Sequence, residues 1–118
     1  MNKNILIVED DVLTAFWIAT ILQRMGYNTY DPVSTGEQAV EFAKVHKPDY
    51  IVMDIWLAGS TNGIDAAIEI LSSFNTSIIF ISGYTGHELT KQIDQVNYTA
   101  FLPKPLDAYD FEKIFKQD

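Results

Sequence analysis

Four carboxylates, one hydroxyl and one ammonium stand where apolar runs of this sequence break off. Glu9, Asp10 and Asp11 follow the run 4–8, and Asp54 follows 49–53. Ser82 and Gly83 follow 77–81, and Lys104 comes just past 99–102. Carboxylates brought together repel and raise one another's pKa unless a cation neutralises them. A cluster of oxygens without Cys or His suits a hard ion such as Mg²⁺, with Mn²⁺ as its substitute. Such an ion keeps several waters and takes only one or two carboxylates. Taken singly, Asp10 or Asp11 reads as a helix N-cap, Asp54 and Ser82 as turn residues, and Lys104 as a solvated charge. Their placement at the ends of different predicted strands is what makes them a candidate site.

Those ends are set by a regular alternation of elements. Run 4–8 is nearly all apolar, as a strand buried on both faces must be. The period then changes, and Trp17, Ile18, Ile21, Leu22 and Met25 form a helical stripe over 12–25, stopped by Gly26. A weak strand is expected at 27–30. Ser34 to Glu37 reads as a capping box opening a helix with Ala39, Val40, Phe42 and Ala43, which ends before Pro48. A strand at 49–53, a Gly/Ser/Asn loop and a helix through Ala66, Ala67, Ile70 and Leu71 come next. A strand at 77–81, a helix at 89–96, a short strand at 99–102 and a helix at 106–115 complete the chain. Strict alternation of five such pairs predicts a single α/β domain over 1–118, a five-stranded parallel sheet wound on both faces with right-handed crossovers. In such folds ligands bind at the carboxyl ends of the strands, near the switch in strand order.

Composition narrows the function classes. With 118 residues the chain can bury one core, and at 47% hydrophobic and 20% charged it is too apolar to be disordered. It has no cysteine, so thiolate metal sites and disulfides are excluded. The net charge of −8 argues against direct nucleic-acid binding through this chain. No run is long enough for a membrane span and the start does not read as a signal peptide, so a cytoplasmic location is expected.

The residues that carry the site also carry a resemblance. Ile-Leu-Ile-Val-Glu-Asp-Asp at 5–11, Val-Met-Asp-Ile at 52–55, Phe-Ile-Ser-Gly at 80–83 and Phe-Leu-Pro-Lys-Pro at 101–105, in this order and spacing, resemble the receiver domain of two-component response regulators. The similarity spans essentially the whole chain. It implies a flavodoxin-like (βα)5 fold with strand order 2-1-3-4-5. It implies that Asp54 is the phospho-acceptor, that Asp10 binds Mg²⁺ directly and Glu9 mainly through water, and that the Trp56 carbonyl is a further ligand. Ser82 becomes the switch hydroxyl, Lys104 the phosphate-pairing lysine, Phe101 the aromatic switch, and Asp11 a first-turn acid of the helix. The Lys104–Pro105 bond is expected to be cis. The partner implied is a sensor histidine kinase or a phosphotransfer protein of a phosphorelay, and a homodimer is compatible with the family.

That role is chemically coherent. A carboxylate can attack phosphorus and form an acyl phosphate. The transferring group spreads charge over its equatorial oxygens, so positioning and countercharge dominate: a cation on one oxygen, Lys104 on a second, Ser82 and backbone amides on a third. The domain is then no enzyme in the usual sense, since it catalyses only its own phosphorylation and dephosphorylation. A switch follows if Ser82 bonds the phosphoryl group, draws the loop 83–86 inward and leaves room for the Phe101 ring. A full flip needs about 5.5 kcal/mol. One charge-assisted bond supplies roughly 1.5–3 kcal/mol, so a partial shift completed by a partner is expected.

Several positions depart from the family pattern. Trp56 and Tyr84 put bulky rings two residues beyond Asp54 and Ser82, which predicts slow self-dephosphorylation by obstructing the attacking water. Asn97 stands where a glycine often ends the fourth helix and is expected to cap it in the left-handed region. Phe101 has no hydroxyl, so its switching rests on packing. Leu13 and Phe16, with Val12, are left facing outward by the first helix and suggest a docking surface for the phosphodonor. Other readings fare worse. A degenerate receiver, binding partners without phosphorylation, usually lacks the acceptor or the lysine, and both are present. An aspartyl phosphohydrolase needs a second acid at position 56, which is tryptophan. P-loop, serine-triad and zinc motifs are missing. The chain ends shortly after the last helix, so it is expected to hold no output domain.

Overall fold

A strand covered on both faces must be apolar through its interior, and residues 5–8, 51–53 and 78–81 satisfy this at every position. The computed structural model describes residues 3–83 and 86–115. It contains β1 (Asn4–Val8), α1 (Val12–Arg24), β2 (Asn28–Thr29), α2 (Gly36–His46), β3 (Tyr50–Asp54), α3 (Gly63–Leu71), β4 (Ser77–Ser82), α4 (His87–Ile93), β5 (Ala100–Pro103) and α5 (Ala108–Phe115). The strands form one parallel sheet in the order β2-β1-β3-β4-β5. This is the flavodoxin-like arrangement expected. Among the described residues no helix is long and apolar enough to cross a membrane.

The period of two divides each strand between two cores. Leu6, Val8, Ile51, Met53, Ile78 and Phe80 face α2, α3 and α4, where Ala39, Ala43, Ala67, Ile70 and Leu89 cover them. Ile5, Ile7, Val52, Ile79 and Ile81 face α1 and α5, where Ile18, Leu22, Phe111 and Phe115 cover them. The change of direction between β1 and β3 leaves a cleft at their carboxyl ends.

Local differences from the expected elements have identifiable causes. Asp11 is the N-cap of α1, its carboxylate accepting from the Thr14 amide at 3.0 Å, and not an acid within the first turn. Thr35, one residue later than expected, caps α2 by accepting from the Gln38 amide at 3.1 Å. The Gln38 side chain accepts in return from the Ser34 amide at 3.0 Å. The cap is therefore shifted by one register from Ser34 and Glu37 to Thr35 and Gln38, with the return bond reaching the residue before the cap. The inward stripe of α1 is Ala15, Ile18, Ile21 and Leu22, while Trp17 is 46% exposed and its indole N–H donates to the Leu106 carbonyl at 3.3 Å. The alanine lets the helix lie close to the sheet and turns the large indole to the margin. β2 shrinks to two residues, and α4 stops at Ile93, capped by Asp94. Asn97 is consequently not a left-handed cap. Among the described non-glycine residues that conformation belongs to Lys47, at the end of α2.

Gly63 opens α3 directly against the end of β3, its amide donating to the Ile55 carbonyl at 2.8 Å. A Cβ there would collide with the Asp54 carbonyl oxygen and sit 2.9 Å from Ile55 Cα, both backbone atoms that cannot swing aside. Replacing Gly63 by alanine should cost about 1–3 kcal/mol of stability through this overpacking, read from chemical denaturation. A Cβ at Gly83 would meet nothing within 4 Å. Gly83→Ala should therefore stay within about 0.5 kcal/mol of wild type.

Candidate functional site

The parallel register brings the ends of β1, β3, β4 and β5 to one rim, and the acids of the sequence gather there. Glu9 follows β1 and is fixed by its amide, which donates to the Val33 carbonyl at 2.9 Å. Asp54 is the last residue of β3, paired with Ile81. Glu9 and Asp54 are almost completely buried, and Asp10 is exposed beside them. Glu9, Asp10 and Asp54 each place one carboxylate oxygen within 4.8 Å of the others. Three convergent oxygens, two of them shielded from water, fit a hard divalent cation. Asp11 lies outside this set and serves the helix.

Lys104 enters from the end of the edge strand β5. Its amide donates to the Ser82 carbonyl at 2.8 Å, which extends the β4–β5 pairing by one rung. The Lys104–Pro105 bond is cis, as expected. The side chain spans the rim, with Nζ 2.7 Å from Glu9 Oε1 and 3.4 Å from Asp54 Oδ2. The remaining oxygens are held by main-chain amides: Asp11 N–H donates to Glu9 Oε2 at 3.1 Å and Trp56 N–H to Asp54 Oδ1 at 3.3 Å. The pairing of Lys104 with Glu9 was not legible in the sequence. The two residues are 95 positions apart and follow strands that are not neighbours.

The electrostatics follow from burial. Loss of solvent raises the Glu9 carboxyl to about 7 from its ordinary 4.5, although the hydrogen bond from Lys104 pulls the other way. Burial likewise raises Asp54, opposed by the charge of Lys104 and by hydrogen bonds from Glu9 and the Trp56 amide. For Lys104, burial alone would lower the pKa. The hydrogen bond to Glu9 and the charges of Asp54 and Glu9 outweigh it, and the ammonium is held more firmly than usual.

The other candidates surround this centre. Ser82 ends β4 and is fully buried at the rim. Trp56 follows Asp54 with its ring 46% exposed, whereas Tyr84 lies outside the described residues. Phe101, on β5, is half-buried and lines a cavity of about 160 Å³ with Leu89, Ile93 and Tyr98. Val12 and Leu13 are each 78% exposed and Phe16 69%, as the first helix led one to expect. Sequence reasoning missed Gly63, whose signal was only a glycine at a helix start, and the contacts that tie the loop after Asp54 to α2.

Comparison with known proteins agrees with this geometry. The family model described as the response regulator receiver domain matches residues 5–116. The transcriptional regulatory protein PdtaR of Mycobacterium tuberculosis is 32% identical over 108 residues, which cover 92% of this chain and 52% of that protein. The chain thus spans about half the length of that relative. Among solved structures, the signal receiver domain of a modulated diguanylate cyclase from Desulfovibrio desulfuricans G20 superposes with a TM-score of 0.92 at 30% identity, covering 99% of this chain and 93% of that one. The receiver domain of a sensor histidine kinase from Pseudomonas aeruginosa PAO1, with a magnesium ion coordinated in its active-site cleft, gives 0.87 at 27%, covering 99% and 97%. By fold, by matched sequence and by the acidic rim, the chain belongs to the response regulator receiver domains of two-component signalling.

Proposed function

We propose that Asp54 accepts a phosphoryl group from a histidine kinase or phosphotransfer protein in a Mg²⁺-dependent reaction, and that the modified domain regulates a partner. The observation that carries this reading is the buried Asp54 carboxylate, with Lys104 Nζ 3.4 Å from one oxygen and the oxygens of Glu9 and Asp10 alongside. Asp10, Asp54 and the Trp56 carbonyl would hold the cation, with Glu9 mainly through water. Mg²⁺ bound there would neutralise charge on a phosphoryl oxygen.

The chain's own groups supply the rest. An Asp54 carboxylate oxygen forms the new bond to phosphorus, while the bond to the donor's leaving atom breaks and its electron pair leaves with that atom. Lys104 stands within reach of a second phosphoryl oxygen once it releases Glu9, and the Ser82 hydroxyl serves a third. Burial of Asp54 limits the water that competes with the donor, and the Trp56 ring slows hydrolysis of the product. Ser82 and Phe101 transmit the change, with the cavity beside Phe101 giving the ring room to turn. Retention of acceptor, acids and lysine together disfavours a phosphorylation-independent module.

The exposed Val12 and Phe16 line an apolar groove that also touches Glu9 and Asp10, and Leu13 is exposed on the same helix. Leu13 and Phe16 are the docking surface for the protein donor in this reading. Large apolar side chains beside an acceptor site suit a partner that must be held while its phosphoryl group is transferred.

Three outcomes follow. Intact-mass spectrometry after acetyl phosphate should show one added phosphoryl group with Mg²⁺, and none without Mg²⁺ or in Asp54→Asn. Labelling of Asp54→Asn would sink the assignment. Leu13→Lys with Phe16→Glu should cut transfer from a protein donor by at least about 10-fold, a loss of some 1.4 kcal/mol of docking, while acetyl phosphate labelling persists. Equal loss with both donors would refute docking. The third concerns pH. Glu9 holds its proton more tightly folded than unfolded, so the cation-free protein loses stability as pH rises from about 4.5 to about 7. Mg²⁺ favours the ionised form, so its stabilisation should be small near pH 5 and reach a plateau above pH 7. Thermal melts with and without Mg²⁺ read this, and equal Mg²⁺ stabilisation at both ends of the range would contradict it.

A further inference from the structure

Most of the rim is supplied by strand ends, which the sheet holds in place. The exception is the loop of residues 55–62 between β3 and α3, which carries the Trp56 carbonyl. A main-chain ligand is useful only if its loop is held within about 0.5 Å of the required geometry.

The first turn of α2 provides that hold. Thr35 pairs with Ala58 in an isolated parallel bridge. A Cβ on Gly36 would lie 2.6 Å from the Thr61 carbonyl oxygen, so α2 packs directly on the loop backbone. The Ser60 hydroxyl donates to Glu37 Oε2 at 2.9 Å. Gly59 has φ +95°, and a Cβ there would sit 3.2 Å from Glu37 Oε1, so the loop bends around this carboxylate. Hydrogen bonds from its own amide, from the Ser60 hydroxyl and from the Ser60 and Thr61 amides keep Glu37 below the usual carboxylate range.

We infer that Glu37 is a positioning residue for the cation site, fixing through Ser60 and Gly59 the loop that presents the Trp56 carbonyl. The inference rests on the cation-binding reading above. A carboxylate in the first turn of α2 also favours the helix dipole, and that effect alone would leave cation affinity unchanged. Glutamine separates the two accounts, since it removes the charge and keeps one acceptor oxygen for the Ser60 hydroxyl.

The test is Mg²⁺ titration of the intact chain, by calorimetry and tryptophan emission, with cation-free melts as the control for folding. Loss of an outer support for a ligand typically costs about 10-fold or more in affinity. Glu37→Ala should therefore weaken Mg²⁺ about 10-fold, Glu37→Gln should stay within about twofold of wild type, and Ser60→Ala should fall between them. Wild-type affinity in Glu37→Ala, or equal weakening in Glu37→Ala and Glu37→Gln, overturns the inference alone. A wild type that takes up no Mg²⁺ overturns the reading of the rim and this inference with it.

Discussion

Two carboxylates cannot be buried side by side without a positive charge between them, and Lys104 occupies that place between Glu9 and Asp54. Coulomb attraction at these separations is strong where water is scarce, yet removing the charges from water costs a comparable amount. The raised pKa values of both carboxyls express that balance: one ammonium does not fully compensate two buried acids. An incompletely neutralised site keeps an appetite for further positive charge. Lys104 sits closer to Glu9 than to Asp54, so Asp54, the proposed acceptor, is the less encumbered of the two.

The fold makes this arrangement affordable. Strands β1, β3 and β4 are buried on both faces and supply the rigidity from which short, steep loops emerge at one end. Asp54 is anchored by its strand pairing with Ile81 and by the close approach of Gly63, and Lys104 by its amide bond to Ser82. Chemistry can then sit on side chains with few degrees of freedom left. The loop after Asp54 lacks that support from the sheet and takes it from α2 instead, through Thr35, Gly36 and Glu37.

Much of this was readable beforehand because it depends on local pattern. The apolar runs located the strands, the change of period located the helices, and alternation fixed their parallel order. Asp54, Asp10 and Lys104 were identifiable because each stands where such a run stops. The errors were also local. The cap of α2 moved by one residue because Ser34 and Thr35 are both competent caps, and only the tertiary path decides which one turns the chain. The stripe of α1 was rotated because Ala15 carries little hydrophobic signal, although its small size is what permits close packing.

By itself the sequence determined the fold class and the rim on which the acids gather, since periodicity and chain order are properties of neighbours along the chain, while its resemblance to receiver domains marked Asp54 as the candidate acceptor. Only the tertiary structure decided that Lys104 pairs with Glu9 across two intervening strands, that Gly63 must lack a side chain, and that Glu37 grips the loop after Asp54. Those contacts join residues far apart in the chain, and their existence depends on distances set to within a few tenths of an ångström, which no residue type encodes.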